Sequence, residues 1–502
     1  MGIGRAWSVA LRGVDGHVVE IEADVGDGLP GVHMVGLADT ALRESKDRVR
    51  AAVVNSDYTW PNRRIVLALS PATLRKSGSA FDLALACGIL AAEQIVEQQA
   101  LAGTALLGEL ALDGRLREFH GVLPCLLAAR SAGMRRVVVP ESVLDEAALV
   151  DGLEVYGAAS LSDVLVWLRG LCELPRPQPA SAMAAPAAGP DLGEVIGQHD
   201  ARLACEIAAA GGHHMLLVGP PGTGKTMLAR RFAGLLPPLS GDDALTLATI
   251  RSIAGRLPEG HPLSHAPPLV APHPSSSTAA LVGGGSGIAK PGAVSLAHRG
   301  VLFLDEAPEL GPHLLDALRT PLEEGEVRLS RAEGTVTYPA RFQLVLAANP
   351  CPCAPAHDRD CICPSTVRRR YLGRLSGPLL DRVDLHARLF PVTTFTVPGE
   401  IESTHTVRER VLAARAAAAE RWAGEGWRTN AEVPGPALRS RFALPARILR
   451  PLDAGLRSGQ LSARSADRAL RVAWTLADLA GAPFPGVEQV ENAMSFRERR
   501  AA

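Results

Sequence analysis

Gly219-Pro220-Pro221-Gly222-Thr223-Gly224-Lys225-Thr226 lies between the apolar run Met215-Leu216-Leu217-Val218 and the stretch Met227-Leu228-Ala229-Arg230-Arg231-Phe232. The order is strand, glycine loop, helix, and G-x-x-x-x-G-K-T in that setting is the pattern of a phosphate loop. Small residues leave successive backbone N–H groups free to point at phosphate oxygens, and the following helix adds the positive end of its dipole. Lys225 then reaches the β and γ phosphates, and Thr226 holds Mg2+. Of 52 Lys plus Arg only four are lysine, namely Lys46, Lys76, Lys225 and Lys290. A composition that has otherwise turned to arginine keeps lysine in the loop, where a planar guanidinium is a poor substitute for a compact ammonium.

Working outward, the apolar strand Gly300-Val301-Leu302-Phe303-Leu304 ends in Asp305-Glu306. Beside a phosphate loop such a pair divides the work: Asp305 orders Mg2+ and its waters, and Glu306 polarises the attacking water. The residues alone therefore point to ATP and Mg2+ as ligands, with hydrolysis. Cys351-Pro-Cys353 and Cys361-Ile-Cys363 put four thiols on one short loop. In a reducing compartment these either bind Zn2+ tetrahedrally or stay unligated beside His357. Arg368-Arg369-Arg370-Tyr371-Leu372-Gly373-Arg374 is the densest basic run. It either follows a phosphate backbone or forms a solvated helix face.

A length of 502 residues suggests about three domains. The formal net charge of −1 supplies no global pull toward nucleic acid, so any DNA surface must be local. Arg5, Arg12, Asp15 and His17 interrupt the N-terminus, which does not read as a signal peptide. The longest uncharged apolar run, near Leu83 to Ala92, is too short to span a bilayer. The expectation is a cytoplasmic protein without a membrane partner, whose eight cysteines are thiols or metal ligands rather than disulfides.

Along residues 1–171 period-two alternation over His17 to Val25, an amphipathic helix over Asp39 to Asn55 and a buried strand over Arg64 to Leu69 predict a mixed α+β domain. Helices over Leu83 to Ala92 and Leu123 to Ala132, and strands over Ala105 to Leu112 and Arg136 to Pro140, continue it. A Pro/Ala-rich linker occupies 172–190. An ATPase core over 191–395 begins with a helix from Asp200 to Ala210 and includes a third strand, Phe342 to Ala348, that ends at Asn349. Residues 396–502 are helical, most clearly over Val411 to Ala423 and Ala463 to Ala480.

Several stretches resemble the ComM/YifB family of magnesium-chelatase-like AAA+ proteins. They are Gly28-Leu-Pro-Gly31 with Val35-Gly-Leu-Ala-Asp39, Arg75-Lys-Ser-Gly-Ser-Ala-Phe-Asp-Leu83, Leu107-Gly-Glu-Leu with Gly114-Arg115, and Gly283-Gly-Gly-Ser286. Leu318 to Ala332, the cysteine pairs and Arg374-Leu-Ser-Gly-Pro-Leu-Leu-Asp-Arg382 complete the set. The resemblance covers nearly the whole chain and implies an α/β fold: a P-loop AAA+ core, an α+β N-terminal domain similar to the proteolytic domain of Lon, and a C-terminal helical lid. It implies Asn349 as sensor 1 and Arg382 as an arginine finger for a neighbour's site. Arg464, with Arg468 second, becomes sensor 2, reaching the γ-phosphate in cis. Leu318 to Ala332 continues into Gly334-Thr-Val-Thr-Tyr-Pro339 and can form a hairpin turning at Arg331 to Gly334, which by the resemblance either projects toward a ring pore or braces the core. Ser79 matches Lon's serine nucleophile, but Leu123 stands where Lon has its activating lysine, and a serine without a base is a weak nucleophile. His273-Pro274 departs from the family's paired histidines. The resemblance implies an ATP-driven ring, a hexamer, that translocates on single-stranded or branched DNA and promotes branch migration in natural transformation. Alternatives are a magnesium-chelatase subunit for metal insertion into a porphyrin and a protein remodeller without peptidase activity.

Overall fold

Val19, Ile21, Ala23 and Val25 alternate with more exposed neighbours, and in the computed structural model of the chain all four are buried. The structure describes residues 2–37, 39–74, 76, 78–178, 189–258, 263–285, 289–331, 334–355, 360–392 and 401–497. Ser286, His357, the tip of the expected 331–334 turn, and residues 179–188 of the expected linker lie outside these.

The N-terminal part is one mixed sheet of β1 (Ile3–Arg12), β2 (Asp15–Gly26), β3 (Gly31–Val35), β4 (Arg64–Ser70), β5 (Thr104–Leu106), β6 (Arg136–Pro140) and β7 (Glu154–Ala158). Its order is β3-β4-β2-β1-β5-β6-β7. Of helices α1 (Thr40–Asn55), α2 (Asp82–Ala92) and α3 (Val122–Ser131), α2 and α3 pack on it, and α1 packs against α2. Strand β1 has no clean alternation to announce it; antiparallel pairing with β2 along its whole length defines it. The single strand expected over Ala105 to Leu112 divides into β5 and the short strand Glu109–Leu110. Between them Gly108 turns aside, donating to Ala80 O at 3.0 Å and accepting from Leu83 N at 3.2 Å.

The second sheet is wholly parallel. Its strands are β8 (Met215–Val218), β9 (Leu269–Val270), β10 (Val301–Leu304), β13 (Gln343–Ala348) and β14 (Leu385–Arg388), in the order β9-β10-β13-β8-β14. A separate hairpin of β11 (Glu326–Arg331) and β12 (Gly334–Pro339) precedes β13. Near-continuous burial of β8, β10 and β13 explains why these strands read as apolar runs rather than alternating ones. Around this sheet lie α4 (His199–Gly211), α5 (Lys225–Leu235), α6 (Gly241–Ala254), α7 (Arg319–Glu324), α8 (Ser365–Leu372) and α9 (Gly377–Leu380). Helix α5 buries Leu228, Phe232 and Leu235 completely. Each contributes roughly 1.5–3 kcal/mol and anchors the loop ahead of the helix.

The last part packs α10 (Thr404–Arg421), α11 (Ala463–Leu479) and α12 (Val487–Ser495) together and against α4. Helix α10 starts earlier than the expected Val411 because Ser403 Oγ caps it, accepting from Thr406 N at 3.3 Å. The N-terminal sheet and the part built on the parallel sheet also touch. Gly121 N donates to Ser252 O at 3.1 Å, and Ala248 of α6 is buried with Val122 and Leu126 of α3. At the β1–β2 turn Arg12 donates to Thr335 O of the hairpin at 3.2 Å, and Val14 packs against the apolar cluster that holds Leu329.

Candidate active site

Parallel β8, β10 and β13 all end at one edge of the sheet, and the residues that follow them converge there. After β8 the chain turns through Gly222 (φ 76°) and Gly224 (φ 94°), left-handed conformations that glycine adopts at little cost. Lys225 begins α5 and is only 9% exposed. Its ammonium donates to Gly219 O at 2.6 Å, Pro220 O at 2.9 Å and Asn349 Oδ1 at 3.0 Å. Burial pushes its pKa down, while Asp305 and Glu306 push it up. Asn349 reaches the loop because β13 is the direct neighbour of β8.

Thr226 Oγ1 donates to Asp305 Oδ2 at 2.6 Å. A hydroxyl and a carboxylate held this close beside the loop are hard oxygen ligands of the kind Mg2+ takes together with nucleotide phosphates. Asp305 Oδ1 accepts from the Glu306 backbone N–H at 2.9 Å. Glu306 itself sits at φ 48° with an exposed side chain. A left-handed glutamate costs on the order of 1–3 kcal/mol, and such strain persists where the surroundings over-determine it. Gln198, also left-handed at φ 54°, ties the segment before α4 to the loop, donating to Thr223 O at 3.2 Å and Phe390 O at 2.6 Å. No spacing rule in the sequence connects Gln198 to residues 223 and 390.

Arg382 and Arg464 stand apart from this cluster. Arg382 follows α9, pairs with Glu323 of α7 and donates to Pro378 O. Arg464 lies in the first turn of α11 with its side chain 81% exposed, 4.0 Å from Asp381. Arg468, one turn on, donates to the Asp384 carboxylate at 2.5 Å and to Arg382 O at 3.1 Å. The four cysteines do converge: their sulfur atoms all lie within 4.8 Å of one another, with Cys351–Cys353 at 3.3 Å, Cys361–Cys351 at 3.4 Å and Cys353–Cys361 at 3.7 Å. Hydrogen bonding from Cys363 and Cys351 brings the Cys353 thiol down to about 7. Next to them Ile362 is 87% exposed, and Arg368, Arg369 and Arg370 of α8 form no ion pair with any described residue.

In the N-terminal sheet Ser79 donates to the Glu109 carboxylate, and Leu123 is fully buried among apolar side chains. Lys76 is also fully buried, its ammonium donating to Leu69 O at 2.9 Å and to Pro71 O. Among the described residues no helix is long and apolar enough to cross a membrane.

The chain is similar to known proteins along nearly its whole length. Residues 191–396 match the model of magnesium chelatase, subunit ChlI; residues 21–143 match subunit ChlI of Mg-chelatase; residues 401–497 match the C-terminal part of the same subunit. An uncharacterized protein of Mycobacterium tuberculosis is 57% identical over the whole of both chains. The chain is also 41% identical to YifB of Escherichia coli, covering 99% of this chain and 97% of that one. It is 41% identical to the competence protein ComM of Haemophilus influenzae, covering 99% and 98%.

Proposed function

The chain belongs to the ComM/YifB family of magnesium-chelatase-like AAA+ ATPases, and from that premise we propose that it is an ATP-hydrolysing ring motor acting on DNA. The observation that carries the ATPase part is the meeting of Lys225, Thr226, Asp305 and Asn349 at one sheet edge. Gly219 to Gly224 and Lys225 hold the phosphates. Thr226 and Asp305 hold Mg2+, which offsets charge on the β and γ oxygens when bound. Glu306 takes a proton from the attacking water, and Asn349 orients that water against the γ-phosphate. Arg382 serves the site of the next subunit in a ring, taken as a hexamer. Arg464 lies beside Asp381, on the side of the finger, which favours service to that same neighbouring site over the cis role.

The same reading divides the chain into a Lon-like N-terminal domain (1–171), a linker (172–190), the core (191–395) and a helical lid (396–502). The basic helix α8, whose Arg368, Arg369 and Arg370 form no ion pair with any described residue, follows the exposed Ile362 and supports DNA as the partner: guanidinium groups follow phosphates, and apolar wedges enter base steps. Competence-related recombination is the process this reading favours, because ComM carries that name.

ATP turnover by the purified chain alone, then with single-stranded, duplex and four-way-junction DNA, tests the proposal, with Lys225→Ala as the blank. Stimulation by at least one DNA is expected. Turnover indifferent to every DNA would move the assignment to a chelatase-type or protein-remodelling partner.

Zn2+ is the second metal ion we propose, held by Cys351, Cys353, Cys361 and Cys363. Tetrahedral thiolate coordination at about 2.3 Å puts sulfurs about 3.8 Å apart, close to the separations found. The bound ion would tie down the loop that leaves Asn349 and leads into α8. Metal analysis of freshly purified, reduced protein should find about one zinc per chain, lost in Cys361→Ser; zinc-free wild-type protein would remove the site.

A further inference from the structure

Asp384 is a carboxylate with 1% exposure, two residues after Arg382, and none of the phosphate-loop chemistry uses it. Taking a charge out of water is costly unless partners surround it, so the partners show what the group is for. Arg468 Nη1 donates to it at 2.5 Å, and His213 Nδ1 lies 3.0 Å away. Burial pushes the carboxyl pKa up, yet Arg468 and His213 more than offset that and hold it well below the usual carboxylate range. An ionised carboxylate only accepts, so His213 Nδ1 carries the hydrogen between them. The other ring nitrogen, Nε2, lies 2.8 Å from Thr475 Oγ1. His213 and Thr475 are both fully buried, and a Cβ on Gly211 would fall 2.2 Å from His213 Nε2 and 2.3 Å from Thr475 Oγ1, so the bridge fills its space.

These contacts join three elements. His213 precedes β8, the strand that feeds the phosphate loop. Arg468 and Thr475 lie on one face of α11, seven residues apart, as two turns of a helix require. Asp384 belongs to the segment between Arg382 and β14. The main chain of that segment is held as well: Arg468 donates to Arg382 O at 3.1 Å, Arg497 donates to Val383 O at 2.6 Å, and Asp384 N donates to His214 O at 3.0 Å. The helical lid therefore grips the chain that carries Arg382, and it does so through buried, directional bonds.

We propose that Asp384, Arg468 and His213 are positioning residues that lock lid helix α11 to the Arg382 segment, so that the placement of the lid sets where Arg382 meets a neighbouring subunit's nucleotide. This rests on the reading of Arg382 as an arginine finger. Its physical basis is that a lid motion cannot leave Arg382 behind without stranding a buried carboxylate.

The test uses the full chain. Asp384→Asn and Arg468→Ala are expected to bind a fluorescent ATP analogue within about twofold of wild type, because neither touches the phosphate loop, while steady-state turnover falls about tenfold or more. Mixing either variant with Lys225→Ala should restore turnover, since an intact loop on one subunit then faces an intact Arg382 on the next. Arg468→Lys, which keeps a donor and a charge, should recover part of the rate. A double variant, Asp384→Leu with Arg468→Met, removes both charges together and leaves no uncompensated ion. It should fold and show the same loss in kcat, even if Asp384→Asn does not fold. Full turnover in the folded single or double variants overturns the proposal, and so does a loss that mixing fails to complement. Arg382→Ala separates the two readings. If it loses turnover while Asp384→Asn keeps it, only the positioning role fails; if Arg382→Ala itself turns over normally, the finger reading fails first.

Discussion

Lys225→Ala is expected to weaken ATP binding by roughly a hundredfold or more. The ammonium is nearly buried and already donates to two loop carbonyls and to Asn349, so it is held where phosphate oxygens would replace those acceptors. Two charge-assisted hydrogen bonds to phosphate contribute roughly 3–6 kcal/mol, and each 1.4 kcal/mol is about tenfold in affinity. Alanine removes the charge and leaves a hole at the start of α5. Lys225→Arg should not rescue binding, because the planar fork does not fit a space shaped for an ammonium. Calorimetric titration with ATP decides the matter, and wild-type affinity in Lys225→Ala would remove the loop as the nucleotide site.

Glu306→Gln is expected to separate binding from chemistry. Glutamine has the shape of glutamate and cannot take a proton, so ATP affinity should stay near wild type while single-turnover hydrolysis falls roughly 10²–10⁴-fold. The side chain is exposed, so folding stability should change by no more than about 0.5 kcal/mol. The left-handed backbone at Glu306 belongs to the strand-to-helix turn after Asp305 and stays in the variant. Hydrolysis at the normal rate would place the general base elsewhere, and Asp305, the other carboxylate at the same sheet edge, would be the next residue to replace.

Much of this architecture is legible in local sequence because local spacing encodes local geometry. A strand of four apolar residues, a glycine-rich loop and a lysine at the helix start form one continuous structure, and the chain needs no distant partner to shape it. The same holds for Asp305-Glu306 after β10 and for four cysteines within thirteen residues, whose sulfurs come together as the spacing suggests. Helices over Thr40–Asn55 and Ala463–Leu479 carry their own caps in Asp39 and Ser462. Where local signals are weak the sequence misleads: β1 exists through pairing with β2, and the run from Ala105 to Leu112 is broken by bonds from Ala80 and Leu83.

The sequence by itself determined the strand, glycine loop and helix around Lys225, the acidic end of β10 and the cysteine quartet, since each is a short-range pattern. Only the tertiary structure decided which distant residues meet them. Asn349 reaches Lys225 across 124 positions because a parallel sheet places β13 beside β8; His213 meets Asp384 across 171 because β14 lies on the other side of β8, and Thr475 across 262 because the C-terminal helix α11 packs against α4. Strand order and the docking of the C-terminal helices follow from the summed burial of whole apolar faces, which no single motif contains. Hence the buried carboxylate of Asp384, unremarkable in sequence, acquires its partners and its lowered pKa only when the three elements close around it.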